Sequence, residues 1–251
     1  MTPALAPALT FDRVTLGYNG HPAVHHLAGS VAPGTLLAIV GPNGSGKSTL
    51  LKGLVGALRP LEGRIDLNGL DRQDIAYLPQ QAEIDRSFPV TVCELVSMGL
   101  WRKTGAWRAI NAGHRQTIAR AISSVGLEGF EQRTLDTLSG GQLQRALFAR
   151  VLAQDSPLIL LDEPLNAIDS KTAADLIALI QRWHSERRTV IAVLHDLELV
   201  KEQFPEALLL ARETIAWGPT CDVVTPGNLL RARAMSEYWD EKAPWCRGDT
   251  R

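Results

Sequence analysis

Residues 41–48 read Gly41-Pro42-Asn43-Gly44-Ser45-Gly46-Lys47-Ser48 and satisfy the spacing G-x-x-x-x-G-K-[ST] in full. The apolar run Thr35-Leu-Leu-Ala-Ile-Val40 precedes them, and the helix-forming stretch Thr49-Leu-Leu-Lys-Gly-Leu follows. Strand, glycine-rich loop and helix in that order are the context in which this spacing carries meaning. Glycines let the chain curl until consecutive N–H groups point inward at phosphate oxygens. The helix behind the loop adds its positive end. Lys47 is then placed to reach β- and γ-phosphates and the Ser48 hydroxyl to bind Mg²⁺. A glycine-rich turn before a helix is the plainer alternative.

Bulk composition narrows the field around this loop. The chain has 251 residues, enough for one large or two small domains with a proper core. A formal net charge of −1 argues against a nucleic-acid or membrane surface gripped mainly by charge. Apolar runs such as Leu158–Leu161 and Thr189–Leu194 are strand-length and far short of a membrane span. The N-terminal Met-Thr-Pro-Ala-Leu-Ala-Pro-Ala lacks the basic start and long apolar core of an export signal. Cys93, Cys221 and Cys246 lie far apart with no C-x-x-C pair, which reads as a reducing compartment without disulfides.

Short apolar runs and turns alternate over Leu9–Val14, Gly17–Gly20 and Val24–Val31, and again at Gly63–Gly69, which predicts antiparallel strands and a hairpin. Between Val92 and Ala153 the period becomes helical, with segments at Val92–Met98, Arg115–Val125 and Gln142–Leu152. Continuous apolar runs return at Leu158–Leu161 and Thr189–Leu194, as a covered parallel sheet requires. Helices are expected at Lys171–Glu186 and Leu197–Gln203. The expected fold is an α/β P-loop NTPase core with an N-terminal antiparallel β subdomain and a helical insertion at about 85–150. Its limits are read as one domain over 1–230 and a short tail over 231–251.

Two strand ends carry chemistry. Leu158-Ile-Leu-Leu-Asp162-Glu163-Pro164 ends a buried strand in two carboxylates. A parallel strand presents its terminal side chains at the sheet edge, where ligands of such folds bind. Asp162 suits the Mg²⁺ shell, and Glu163 can accept a hydrogen bond from an attacking water. Thr189-Val-Ile-Ala-Val-Leu-His195 repeats the layout and ends in a histidine able to touch a γ-phosphate. A third signal is Leu138-Ser139-Gly140-Gly141-Gln142-Leu143-Gln144-Arg145, a serine cap and Gly-Gly turn opening a helix.

Leu-Ser-Gly-Gly-Gln resembles the signature of ABC-type ATPases, the nucleotide-binding subunits of ABC transporters, and the resemblance covers nearly the whole chain. It implies that Gly41–Ser48 and Thr49 bind ATP phosphates and that Tyr18 stacks on adenine. It implies that Gln80, in Ala76-Tyr-Leu-Pro-Gln80, is a catalytic and Mg²⁺-linked glutamine, although Gln81 follows directly. Asp169 matches the family's aspartate loop, in Leu-Asn-Ala-Ile-Asp rather than the commoner Ser-Ala-Leu-Asp. By the same resemblance, two copies pack head to tail. Each ATP lies between one phosphate loop and the partner's Ser139-Gly140-Gly141-Gln142, with Lys47, Glu163 and His195 as catalytic groups. Opening after hydrolysis would pass to separate membrane permease subunits through the helical insertion.

Phe88-Pro-Val-Thr-Val92 onward and Ile215–Leu229 resemble zinc and manganese importer ATPases, and less closely those for iron-siderophore, haem and cobalamin uptake. An extracytoplasmic solute-binding protein, no nucleic acid and the cytoplasmic membrane face follow as expectations. A soluble ABC ATPase acting on translation or DNA is the competing class. His21, His25 and His26 read as a surface loop rather than a metal site. Trp101 and Trp107, beside Arg102, Lys103 and Arg108, read either as a docking surface for the membrane subunit or as packing within the insertion.

Overall fold

The computed structural model describes residues 8–80, 88–105 and 109–237. Its contacts divide the chain into two units, Met1–Arg72 with Val193–Arg251, and Gln73–Ala192.

In the first unit, β1 (Leu9–Tyr18), β2 (His21–Val31) and β4 (Glu62–Asp66) form an antiparallel sheet in the order β2-β1-β4. Alternation buries Leu9 and Phe11, and after a register shift at the exposed Asp12 and Arg13 it buries Val14 and Leu16. The β1–β2 turn is Asn19-Gly20, both at positive φ, so β1 runs through Gly17 and Tyr18, where turn residues were expected. Gly17 is needed because a Cβ there would lie 2.1 Å from the His21 carbonyl oxygen. His21, His25 and His26 belong to β2, not to a loop.

The same unit holds β3 (Leu36–Val40), whose five residues are all buried, and α1 (Lys47–Leu54). It pairs β3 in parallel with β8 (Glu206–Ala211), which pairs antiparallel with β9 (Glu213–Pro219). Helices α7 (Leu197–Gln203), α8 (Thr220–Val223) and α9 (Pro226–Glu237) complete it. Helix α9 runs without a break across residue 230, where the sequence reading placed the start of a tail. Strands β8 and β9 had no counterpart in the sequence reading. Trp217 of β9 packs against Phe11 with ring centroids 5.9 Å apart.

In the second unit, β5 (Ile75–Leu78) pairs in parallel with β6 (Leu158–Asp162), and β7 (Thr189–Val193) lies beyond β6. Every residue of β6 and β7 is buried, which explains their unbroken apolar runs. Helices α2 (Val92–Ser97), α3 (Trp101–Thr104) and α4 (Ala112–Ser124) precede the long α5 (Gly140–Gln154). Thr91 and Glu94 close a capping box on α2, and Asn111 with His114 does so on α4. Helix α6 (Ser170–Ser185) buries Leu176, Ile177, Leu179, Ile180 and Trp183, one face of a 3.6-residue repeat. Trp183 stacks on Phe148 of α5 at 5.6 Å and 8°.

Candidate functional site

Three elements of the first unit shape the phosphate loop. Gly41 at φ 149° leaves β3, and a Cβ on it would stand 1.9 Å from the Leu210 carbonyl oxygen. Gly46 at φ 95° caps α1, and a Cβ there would meet the Ala23 carbonyl oxygen at 2.4 Å. The loop is therefore wedged between β8 and β2, and glycine is the residue that fits at both walls. The Arg212 N–H donates to the Ser45 carbonyl at 3.0 Å, and the His25 N–H to the Arg212 carbonyl at 2.7 Å. Helix α1 has no side-chain cap, so its first N–H groups face the loop.

Lys47 is buried and donates to the carbonyls of Gly41 at 2.9 Å and Pro42 at 2.8 Å. The ammonium thus folds back over its own loop, where a phosphate would compete for it. Ser48 is half-buried and Thr49 buried at the start of α1, whereas Asn43 and Gly44 are exposed at the tip. Tyr18 ends β1 with 48 % of its surface exposed, as a stacking platform needs. Leu16 beside it packs where a Gly53 Cβ would fall, which ties β1 to α1.

His195 joins this group. The Leu194 N–H donates to the Ile39 carbonyl at 3.1 Å, which brings His195 alongside the end of β3. A cavity of about 490 Å³ has Gly41, Pro42, Asn43 and His195 on its walls together with Leu229 and Arg233 of α9.

The second unit carries the remaining candidates. Asp162 ends β6 fully buried, and the Tyr77 hydroxyl lies 3.5 Å from its Oδ2. Glu163 follows at φ 49°, an uncommon conformation for a residue with a Cβ and the kind of strain that collects at functional positions. The Asn166 side chain holds its Oε2 at 3.2 Å. Gln80 is half-buried just beyond β5; Gln81, the alternative register for that glutamine, lies outside the described residues.

Ser139 caps α5: its Oγ accepts from the Gln142 N–H at 3.3 Å, while Gln142 Oε1 accepts from the Ser139 N–H at 3.0 Å. Gly140 and Gly141 follow, both half-buried. Asp169 caps α6 by accepting from the Thr172 N–H at 2.9 Å, and that bond holds its carboxyl below the usual range. A Cβ on Gly141 would lie 3.6 Å from Asp169 Oδ2, so the signature and aspartate loops touch within the unit. Two ties escaped the sequence reading. Gln144, fully buried, donates to the Pro164 carbonyl at 2.6 Å and clips α5 to the turn bearing Glu163. Arg145 reaches Asp175 at 2.7 Å. Both residues stand in the motif Leu138 to Arg145, but nothing in the sequence pairs them with Pro164 or Asp175.

Among the described residues no cluster of three or more His, Cys, Asp or Glu could hold a metal, and the β2 histidines form none. Burial lowers the His25 pKa. Cys93 and Cys221 are free thiols. Trp101 is 64 % exposed; Trp107 and Arg108 lie outside the described residues.

A strand–loop–helix phosphate cradle with a histidine beside it, and a buried strand ending in Asp162-Glu163, define the class: a P-loop nucleotide-binding protein. The family model for ABC transporters matches residues 24–166, more than half of the chain. The manganese transport system ATP-binding protein MntA of Synechocystis is 37 % identical over 88 % of each chain. A chelated iron transport system protein of Yersinia pestis, YfeB, is 37 % identical over 89 % of this chain and 78 % of its own. A metal-chelate-type ABC transporter solved facing inward superposes with TM-score 0.81 at 29 % identity, covering 91 % of this chain and 90 % of its own. The chain belongs to the ABC transporter family, as an ATP-binding, ATP-hydrolysing subunit. No described helix is long and apolar enough to cross a membrane.

Proposed function

We propose that this chain is the energy-coupling ATPase of an importer for a divalent metal ion, manganese before zinc. The relatives carry the choice of cargo: MntA of Synechocystis and MntB of Bacillus subtilis, the latter 34 % identical, are both manganese transport proteins. The observation that carries the ATPase chemistry is the wedged phosphate loop with Lys47 buried across its own carbonyls.

ATP triphosphate takes Lys47 and the N-terminal end of α1, and adenine stacks on Tyr18. Residues Gly41–Ser48 and Thr49 form the cradle. Asp162 and Ser48 are hard oxygen donors suited to Mg²⁺ and would hold it. When bound, Mg²⁺ neutralises charge developing on the phosphoryl oxygens. Gln80 links to that cation. Glu163 accepts a proton from water as it attacks, and His195 donates to the γ-phosphate. Ser139, Gly140, Gly141, Gln142 and Asp169 serve a second copy of the chain, whose ATP they close over in a head-to-tail dimer. Hydrolysis opens the pair and moves permease subunits to which the chain docks peripherally at the cytoplasmic membrane face. An extracytoplasmic binding protein delivers the metal.

The test is co-expression with a candidate polytopic permease subunit, followed by uptake of radioactive manganese and zinc. Uptake of manganese that Glu163→Gln abolishes supports the reading. ATPase activity with no membrane partner and no uptake overturns it in favour of a soluble ATPase.

A further inference from the structure

Strand β5 places one side chain against the Asp162 carboxylate. Tyr77 pairs with Leu160 in the parallel β5–β6 register. Side chains two residues apart share a face, so Asp162 lies diagonally across from Tyr77, a span that an aromatic side chain can bridge. The Tyr77 hydroxyl stands 3.5 Å from Asp162 Oδ2. At that length the contact is a weak hydrogen bond whose effect is orientation more than energy. The donor is also neutral. A phenol steadies the ionised carboxylate without cancelling its charge, whereas an arginine or lysine there would compete with a cation.

The other face of Tyr77 is held from the signature helix. Arg150 of α5 donates from its guanidinium to the Tyr77 carbonyl, and one turn later Gln154 donates to the Ile75 carbonyl at 2.8 Å. Arg150 is half-buried, and desolvation lowers its pKa. Helix α5 is therefore clipped to alternate carbonyls of the strand that carries Tyr77. It is the same helix whose first turn holds Ser139–Gln142.

We infer that Tyr77 is a positioning residue for Asp162, and that Arg150 transmits the placement of α5 to the Mg²⁺ carboxylate through it. The inference rests on the ATPase reading above, in which Asp162 faces Mg²⁺. Movement of the signature helix would then be felt at the cation as a change in carboxylate orientation.

Tyr77→Phe removes one hydroxyl and keeps the ring. The experiment titrates Mg²⁺ into the purified chain with a fluorescent, non-hydrolysable ATP analogue and reads binding rather than turnover. Wild type and Asp162→Asn come first. Mg²⁺-dependent binding lost in Asp162→Asn upholds the ATPase reading; binding indifferent to Mg²⁺ overturns both that reading and the inference. With the reading upheld, Tyr77→Phe is expected to raise the half-saturating Mg²⁺ concentration about threefold to tenfold. Affinity measured in chelator should stay unchanged, and saturating Mg²⁺ should restore wild-type binding, a rescue that a folding defect would not allow. Arg150→Lys keeps a cation but loses the planar fork, and is expected to shift the Mg²⁺ curve in the same direction by less. A Tyr77→Phe curve that overlays wild type, or a loss that saturating Mg²⁺ leaves in place, overturns the inference.

Discussion

The starts of α1 and α5 are both anion-seeking helix ends, yet they are built in opposite ways. At α1 the cap is Gly46 at φ 95°, with no side-chain hydrogen bond, and the loop is held by backbone walls on both sides. At α5 the cap is Ser139 in a reciprocal box with Gln142, and a Cβ on Gly141 would meet nothing nearer than 3.5 Å. The first end has no side chain seated on it and is held by backbone walls. The second pairs the Ser139 and Gln142 N–H groups within the box and has room, so those N–H groups must exchange a partner before they can hold a phosphate. A walled cradle suits a site that binds nucleotide on one subunit, and a self-satisfied end suits one that engages only when a second copy arrives.

Substitutions can break this contrast. The largest effect is expected from Gly46→Ala, whose Cβ meets the Ala23 carbonyl at 2.4 Å on backbone at φ 95°. Strain of this kind costs about 1–3 kcal/mol before the clash is counted; nucleotide binding should be lost, read by titration of a fluorescent ATP analogue. Lys47→Ala comes next: a fall in ATP affinity of at least about tenfold, as for loss of a charge-assisted contact, with thermal unfolding little changed. Ser139→Ala removes one half of the capping box and should destabilise by about 1 kcal/mol, visible in denaturant unfolding, while ATP affinity of the isolated subunit stays the same and turnover falls. Gly141→Ala is the sharpest contrast with Gly46→Ala. Its contacts are ordinary van der Waals distances, so a stability change within about 0.5 kcal/mol is expected.

The smallest effect concerns pH. The Asp169 carboxyl is held below the usual range by the Thr172 N–H. A depressed folded pKa contributes stability above the unfolded value, and that stability is lost as pH falls through the folded one. Asp169→Asn should therefore lower stability slightly at neutral pH, where that contribution is full, and flatten the acid limb so that the two proteins converge at low pH, measured by unfolding across that range. Equal acid sensitivity in both proteins would remove the aspartate cap from the account.

Local signals were legible wherever the chemistry is local. The helix limits at Leu197–Gln203 and the strand at Leu158–Asp162 follow from apolar period and caps within a few residues. Strands β5, β8 and β9 were not. Ile75–Leu78 is four residues long, and Glu213–Pro219 carries Trp217 and Gly218 in a half-buried edge that shows no clean alternation. The β2 histidines read as a loop between the early strands, whereas pairing with β1 puts them in a strand. Among the site residues, those in contiguous motifs were all named. The partners of Tyr77, Gln144 and Arg150 were not legible, since each acts on a residue between 20 and 85 positions away.

Taken alone, the sequence determined the class of chemistry. A glycine loop, a carboxylate pair after a buried strand and a capped Gly-Gly turn each need only their neighbours in the chain to take shape. Tertiary structure decided how those pieces are held: which backbone walls make Gly41 and Gly46 obligatory, how Lys47 lies over its own carbonyls, and how Tyr77 reaches Asp162. Those facts depend on strand register and on the approach of distant backbone, and register is set by the packing of the whole sheet rather than by any one stretch of residues.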